Sequence, residues 1–343
     1  MYSAKLESFS KKDFLNMVRA CSELWETDAF YSGTGFGKED VSVCCILPVS
    51  RLSVSADTTA AKVKEFVNND DKEVFGYLAY DFGMVLRGVV TDKNLLQEQG
   101  ILKKYAVYCR HKSENLNIES DNPVLIEKVI QAFELYKEKT VTVSMKNLKC
   151  SMTRDEYVEK VRRVIEYIKD GHTYQLNLSM KYEAELDVEP FSLWTGMAEK
   201  NPAPFYGIFK TTDCHILSTS PEIFLKVDDG KVLSQHIKGT LRFDEYSQEL
   251  DDSLKDSVKE SAELSMIVDL IRNDISADCQ VGSVEVQEHK SVMRVDNLLQ
   301  MFSSVTGILK EGSDVVDLLF TAFPGGSVNG RQKKRSMDLK DSQ

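Results

Sequence analysis

The sequence lacks most of the features that assign a chain to a class at once. Its 343 residues contain no apolar run of about 18 residues, the length that a membrane-spanning helix needs. The opening segment MYSAKLESFSKKDF has no apolar core of a signal peptide, so we expect a cytoplasmic protein. Proline and glycine are sparse, at 7 and 18 residues, and neither a long linker nor an internal repeat divides the chain.

The short motifs of common catalytic and cofactor sites are also missing. The sequence has no GxSxG, no GxGxxG opening a helix after a strand, and no P-loop. None of the five histidines is paired at metal-ligand spacing, and no two cysteines form CxxC. The net charge of −11 argues against nucleic-acid binding, which needs a basic face.

The first half of the chain mixes strand and helix patterns. The segments VSVCCILPV, with Cys44 and Cys45 as buried thiols, and EVFGYLAY predict buried strands, and residues 57–69 predict a helix. Thr153 and Glu156 form a capping box, which predicts a helix beginning there. The alternating segment TYQLNLSMKYEAEL predicts a strand, whose polar face either meets solvent or lines a polar cleft.

The second half contains a hairpin and several helical patterns. The turn Asp228-Asp229-Gly230 joins HILSTSPEIFLKV to KVLSQHIKGTLRF, which predicts a β-hairpin. One long helix is predicted over residues 248–273, and its end, MIVDLI, is apolar nearly all round and should be buried. The strand SVEVQEHKSV, a helical stretch over residues 297–305 and a short helix over residues 315–322 complete the prediction.

Two glutamates on the long helix are candidate metal ligands. Glu260 and Glu263 lie three residues apart and therefore share a helical face, which also carries the apolar Ile267. Carboxylates held together near a buried face repel each other unless a cation neutralises them, and Mg²⁺ prefers such oxygen ligands. The alternative is a pair of solvated glutamates in the charged segment KDSVKESAE.

A glycine-rich loop near the end of the sequence is a candidate anion site. The segment Pro324-Gly325-Gly326-Ser327 precedes a possible short helix, and backbone N–H groups at such a point bind anions. By itself the loop is also compatible with an ordinary turn. Arg272-Asn273-Asp274 predicts a helix C-terminus, and the basic cluster at residues 331–335 predicts a solvated helix start.

Read together and in order, these segments resemble the chorismate-utilising enzymes: anthranilate synthase component I, aminodeoxychorismate synthase component I, and the isochorismate and salicylate synthases. The resemblance runs from about residue 75 to the end. The matching blocks, in order, are FGYLAYDFG, GHTYQLNLS, NPAPFYGIF, STSPEIFL, HIKGTLR (similar to PIKGT), KESAELSMIVDLIRND and FPGGSVNG.

The resemblance implies an α+β fold with two antiparallel β-sheets flanked by helices. It also implies an N-terminal component I subregion over residues 1–120 and a chorismate-binding region over residues 145–343, whose C-terminal portion we expect to be missing. By matching position, Glu222 is the general acid that protonates the leaving C4 hydroxyl of chorismate. Glu260 and Glu263 lie near the Mg²⁺ that holds the substrate carboxylate. Thr240, Gly325, Gly326 and Ser327 match substrate-contacting positions.

Two positions discriminate between branches of the family. Gln175 stands where isochorismate and salicylate synthases carry a water-activating lysine, which favours ammonia as the nucleophile. Lys238 stands where anthranilate synthases carry alanine, and in the aminodeoxychorismate branch this lysine is implied to attack C2 of chorismate. The resemblance therefore favours amination at C4 toward p-aminobenzoate and folate. Ammonia would come from a separate glutamine amidotransferase subunit.

Three departures from the family pattern limit this interpretation. Gln300 replaces a family histidine, Gly330-Arg331-Gln332-Lys333 replaces GAPK, and the sequence ends at Gln343 where family members continue with further metal and substrate ligands. We therefore expect little turnover from the chain as it stands. The alternatives are an anthranilate synthase component I and a catalytically inactive protein that binds a partner only.

Overall fold

The structure is a computed structural model. It describes residues 1–33, 41–89, 98–139, 141–201, 203–295, 297–326 and 333–341. The strands are β1 Tyr2–Glu7, β2 Thr27–Tyr31, β3 Val41–Val54, β4 Phe75–Leu78, β5 Gly100–Lys112, β6 Asn115–Ser120, β7 Met145–Cys150, β8 Tyr182–Leu186, β9 Phe205–Lys210, β10 His215–Ser220, β11 Ile223–Asp228, β12 Lys231–Arg242, β13 Glu285–Val295 and β14 Leu298–Ile308. The helices are α1 Lys11–Ser22, α2 Ala60–Asn68, α3 Tyr80–Leu86, α4 Pro123–Leu135, α5 Arg154–Lys169, α6 Pro190–Lys200, α7 Gln248–Asp256, α8 Val258–Ser276, α9 Val315–Ala322 and α10 Lys333–Asp341.

The larger sheet has eight antiparallel strands. Its order is β1-β6-β5-β3-β2-β9-β10, and β4 pairs with β5. Helices α1, α4 and α6 pack against it around the fully buried Phe14 and Trp194. Cys44 and Cys45 lie buried on β3, as predicted, and burial raises the pKa of both thiols.

The smaller main sheet has the order β11-β12-β14-β13, again antiparallel. Helices α7 and α8 cover one side of it, which we call the helix face. Ile267 and Ile271 of α8 pack there against Val232 and Val305, which confirms that MIVDLI supplies buried residues, although Asp269 within it is exposed. The α+β fold with two antiparallel sheets flanked by helices is thereby confirmed.

The division at residues 1–120 and 145–343 stays a prediction. Strands β9 and β10 follow the second boundary in sequence, yet they belong to the larger sheet with β1 to β6. Strands β7 and β8 form a separate two-stranded sheet with every residue exposed. Among the described residues, no helix is long and apolar enough to span a membrane.

Local signals predicted several elements correctly. The capping box of Thr153 and Glu156 begins α5, with both reciprocal bonds present. The β11–β12 hairpin turns at Asp229 and Gly230, which both have positive φ, as a two-residue primed turn requires. Helices α2 and α9 lie where they were predicted.

Five predicted elements were wrong in whole or in part. The predicted hairpin strand HILSTSPEIFLKV is divided between β10 of the larger sheet and β11 of the smaller sheet. Only Phe75–Leu78 of EVFGYLAY is a strand, it is not fully buried, and α3 begins at Tyr80. Residues 298–308, expected to be helical at their start, form β14, because this segment is paired on both sides, with β12 and β13. Residues 173–181 are irregular, and only Tyr182–Leu186 forms the expected strand. The long helix is divided at Ser257, whose extended backbone ends α7 and caps α8.

Candidate active site

The candidate site begins with the first turns of α8. The Ser257 hydroxyl accepts the Glu260 N–H at 3.4 Å, which fixes the start of this helix. Glu260 and Glu263 then face β12, and each is only about a quarter exposed (25% and 29%). The solvated alternative is therefore wrong for these two glutamates, since the sheet covers most of each side chain.

Lys238 projects from β12 toward the same carboxylates. Its Nζ lies 3.6 Å from Glu263 Oε1, and the lysine side chain is 25% exposed. Lys238 pairs across the sheet with Met301, which packs against Leu264 of α8, so Lys238 points to the helix face. The sequence separated these two charges by 25 positions, and the fold makes them neighbours.

A β-bulge at Gly239 shapes this part of the site. Gly239 has φ +76°, and a Cβ there would lie 3.3 Å from the Glu260 Cβ, so glycine allows the close approach. After the bulge Thr240 pairs with Gln300. Since Gln300 and Met301 are consecutive on β14, Thr240 points away from the helix face. The structure thus does not bring the Thr240 side chain to Lys238.

Gln175 reaches the site from the irregular segment after α5. The buried Thr173 hydroxyl is bonded to the Gln175 carbonyl at 2.8 Å and lies 3.0 Å from Ser336 Oγ on α10. This anchor places Gln175 Nε2 3.5 Å from Glu263 Oε1, at the long limit of a hydrogen bond. Among the described residues, the buried Oε1 atom of Gln175 has no partner, so it is available to a ligand.

Glu222 lies in the connection between β10 and β11. Its N–H donates to Ser220 Oγ at 3.2 Å, and its Oε1 is hydrogen-bonded to Nδ1 of the buried His236. Both side chains line a cavity of about 400 Å³. The other lining residues are Leu78, Tyr80, Ser220, Phe224, Phe323, Pro324 and Gly325. The cavity therefore joins the general-acid candidate to the glycine-rich loop.

The glycine-rich loop is held from behind by a buried acid. Gly326 N–H donates to Asp274 Oδ2 at 2.9 Å, and Lys333 Nζ lies 2.6 Å from Asp274 Oδ1. Burial raises the pKa of Asp274, although the nearby charge of Lys333 acts to lower it. Burial also lowers the pKa of Lys333. The Gly326 amide is thus bonded within the chain, while Gly325 lines the cavity. Ser327 lies outside the described residues.

The burial and the contacts of Lys333 contradict one prediction. The basic cluster was expected to be a solvated helix start, yet the Lys333 side chain is only 16% exposed and also donates to the Ala322 carbonyl at 2.8 Å. Asp274, expected only at a helix terminus, is its partner. Neither role is visible in the sequence, because the two residues lie 59 positions apart and each segment looks like an ordinary helix end.

The predicted residues form two neighbouring groups on the helix face. Lys238, Glu260, Glu263 and Gln175 make one group. Glu222 and Gly325 make the other, with His236, which the sequence reasoning missed. His236 and Lys238 are two residues apart on one face of β12, about 6.6 Å along the strand, so the two groups are neighbours on the sheet.

The donor set fits a magnesium ion that takes further ligands from its substrate. Two partly buried carboxylates, Glu260 and Glu263, lie one helical turn apart beside β12, and Mg²⁺ is commonly bound through one or two carboxylates plus substrate oxygens and water. No cluster of three or more acidic, histidine or cysteine ligands occurs in the part of the chain that the structure describes. An ion held here would depend on the substrate for its remaining ligands.

Comparison with known proteins identifies the family of the chain. The model of the chorismate binding enzyme family matches residues 38–342, which is most of the chain. The chain belongs to the chorismate-binding enzyme family. Relatives include a protein named anthranilate synthase component 1 from Haloarcula marismortui, 26% identical over 92% of this chain and 72% of the relative. Another is the Escherichia coli protein named aminodeoxychorismate synthase component 1, 32% identical over 78% of this chain and 60% of the relative.

The fold of the chorismate-binding chain also matches a solved structure. Anthranilate synthase component I from Streptococcus pneumoniae superposes with a TM-score of 0.78 at 21% identity, over 90% of this chain and 78% of that one. At this identity the likeness concerns the fold. Several other curated relatives are matched over only 39 to 43% of their own length.

Proposed function

We propose that this chain is a component 1 of the aminodeoxychorismate synthase type, which aminates chorismate at C4. The proposal rests on one observation above the others: Lys238 Nζ lies 3.6 Å from Glu263 on the helix face, where Gln175 meets the same carboxylate. By its resemblance to the aminodeoxychorismate branch, Lys238 would attack C2 of chorismate. A glutamine, which cannot act as a base, occupies the position of the water-activating lysine.

The proposed reaction has two steps. The neutral amine of Lys238 forms a C–N bond at C2 while the ring double bonds shift and the C4–O bond breaks. The Glu222 carboxyl gives its proton to the departing oxygen, which leaves as water. Ammonia then forms a bond at C4, the bond from C2 to Nζ breaks, and a proton from the new ammonium group returns to Glu222.

Other groups would orient the substrate. Glu260 and Glu263 would hold Mg²⁺, which when bound supplies positive charge to the substrate carboxylate. Gly325 would form part of the wall against which the ring lies, since it lines the cavity beside Glu222. The roles of Thr240 and Ser327 as substrate contacts stay predictions.

A second polypeptide completes this proposal. Several relatives carry the name component 1, which supports a partner component, and we propose a glutamine amidotransferase that supplies ammonia in the cytoplasm. The product would lead toward p-aminobenzoate and folate.

A second candidate is anthranilate synthase component I. The relatives carry both names at comparable identity, with 34% for the Thermus thermophilus anthranilate synthase and 34% for the Bacillus subtilis aminodeoxychorismate synthase. The two reactions differ in product, because aminodeoxychorismate keeps the enolpyruvyl group and anthranilate loses it.

The decisive experiment detects the covalent intermediate and the product separately. The chain is incubated with chorismate and Mg²⁺ without ammonium, and intact-mass and peptide analysis then search for Lys238 carrying chorismate less one water. Ammonium is added in a second sample, and the amino product is identified by mass.

The expected result is an adduct on Lys238 that disappears in Lys238→Ala and persists in Lys231→Ala, a matched change at the exposed start of the same strand. Anthranilate without any adduct would favour the second candidate. Neither adduct nor product under any condition would reject both reactions and leave a protein that binds a partner only.

A further inference from the structure

His236 is a second titratable group at the acid position. It is almost fully buried on β12, and its Nδ1 is hydrogen-bonded to Glu222 Oε1. Its Nε2 lies 3.1 Å from Ser234 Oγ. The matching family block, PIKGT, begins with proline where this chain has His236. The contact therefore uses a side chain that the family pattern does not provide.

The hydrogen bonds fix where the protons lie. Ser234 Oγ lies 2.6 Å from the Phe224 carbonyl, which can only accept, so the hydroxyl proton points to that carbonyl. Ser234 must then accept from His236, which places a proton on Nε2. With Nε2 protonated, the bond between Nδ1 and Glu222 Oε1 contains a single shared proton.

The position of the pair is suited to proton delivery. Ser234 and Phe224 fix the far edge of the imidazole, and the near edge meets Glu222 at the wall of the 400 Å³ cavity. The Glu222 side chain is one third exposed (33%) while that of His236 is 4% exposed, so the carboxyl is much more accessible to a ligand than the imidazole. The imidazole holds the carboxyl, and the carboxyl faces the cavity.

We propose that His236 is a positioning residue for Glu222, which orients its carboxyl toward the cavity and shares the proton that Glu222 delivers. The inference deepens the proposed function, since it rests on Glu222 as the acid for the departing C4 hydroxyl.

A spectroscopic experiment tests the shared proton without any turnover. In protein labelled with ¹⁵N-histidine, a proton resonance far downfield and coupled to Nδ1 of His236 is expected. It should vanish in His236→Asn, which assigns it, and in Glu222→Gln, which replaces the carboxylate partner. Persistence of the resonance unchanged in Glu222→Gln, or its absence from the unmodified chain, would overturn the shared proton.

A kinetic experiment tests the catalytic consequence. The limiting rate of adduct formation on Lys238 should fall about tenfold to a hundredfold in His236→Leu, with the half-saturating chorismate concentration within about twofold. His236→Asn, which still donates a hydrogen bond to Glu222, should recover part of that rate. An unchanged rate in His236→Leu, or equal losses in both variants, would overturn the positioning role.

Failure of the proposed function can be distinguished from failure of the inference about His236. If the proposed function is wrong, the unmodified chain forms no adduct, while the shared-proton resonance still reports on the pair. If only the inference is wrong, the unmodified chain forms the adduct and the His236 variants do so at the same rate. Circular dichroism of each variant separates loss of rate from loss of fold.

Discussion

Two lysines, one in each main sheet, differ in how deeply they are buried and in how closely their partners approach. Lys103 in the larger sheet is fully buried, and its Nζ bonds Glu26 at 2.8 Å, Asp28 at 2.9 Å and the Lys210 carbonyl at 2.6 Å. All three of its donors are used. Lys238 in the smaller sheet is one quarter exposed, and Glu263 lies farther away, at 3.6 Å.

The difference separates a charge with a structural role, at Lys103, from the charge at Lys238 that we propose to be reactive. A buried charge with every hydrogen bond satisfied stabilises one arrangement and offers nothing to a ligand. Around Lys238 the contacts are long, and the buried Oε1 atom of Gln175 has no partner among the described residues. An unsatisfied buried polar atom is costly to the fold, and a bound substrate can satisfy it.

The largest expected effect is on Lys103. Lys103→Ala leaves Asp28 buried without its cation, so the free energy of unfolding should fall by about 3–5 kcal/mol. Lys238→Ala should change it by less than about 1 kcal/mol, because that pair is partly exposed. Urea denaturation of both variants measures the two changes in the free energy of unfolding. Equal losses would mean that the two lysines are not different in kind.

Gly239 tests whether the site depends on the bulge. Gly239→Ala combines a strained φ with a close contact between the new Cβ and Glu260. It should lower the free energy of unfolding by about 1–3 kcal/mol. Gly230→Ala has a similar φ but open space around the new Cβ, so it should cost less. The Gly239 variant should also slow adduct formation at Lys238. A larger loss in Gly230→Ala would contradict the role of the Glu260 contact.

Ser257 tests the start of α8 with a matched control. Ser257→Ala removes the side-chain cap and should lower the free energy of unfolding by about 1 kcal/mol. Ser247 occupies the cap position of α7 without a side-chain bond, and Ser247→Ala should have little effect. Thermal denaturation compares the two. Similar small effects would show that the first turn of α8 is fixed by packing alone.

The smallest expected effect concerns pH. Burial raises the pKa of Asp274 above 3.8, so the folded state binds this proton more tightly than the unfolded state. The contribution of Asp274 to stability is therefore greatest below pH 3.8 and is lost as the pH rises through the raised pKa. Asp274→Asn should remove this dependence of the free energy of unfolding on pH. The unmodified chain should therefore lose stability relative to the variant as the pH rises.

Urea denaturation of both proteins at a series of pH values measures that difference. The other carboxylates are common to both, so their contributions cancel. A difference that stays constant with pH, or that changes in the opposite direction, would contradict the raised pKa of Asp274.

The sequence by itself determined the features that depend on neighbouring residues. The capping box at Thr153, the turn at Asp229-Gly230 and the shared face of Glu260 and Glu263 all follow from short-range geometry. The ordered blocks also indicated the family and its two-sheet fold.

Only the tertiary structure decided the features that depend on distant partners. Residues 298–308 became a strand because β12 and β13 pair with them, and the bulge at Gly239 placed Lys238 and Thr240 on opposite faces. The pairs His236–Glu222 and Asp274–Lys333 likewise join separate segments. A buried polar group must find a partner wherever the fold brings one, and that choice is not written in the residues beside it.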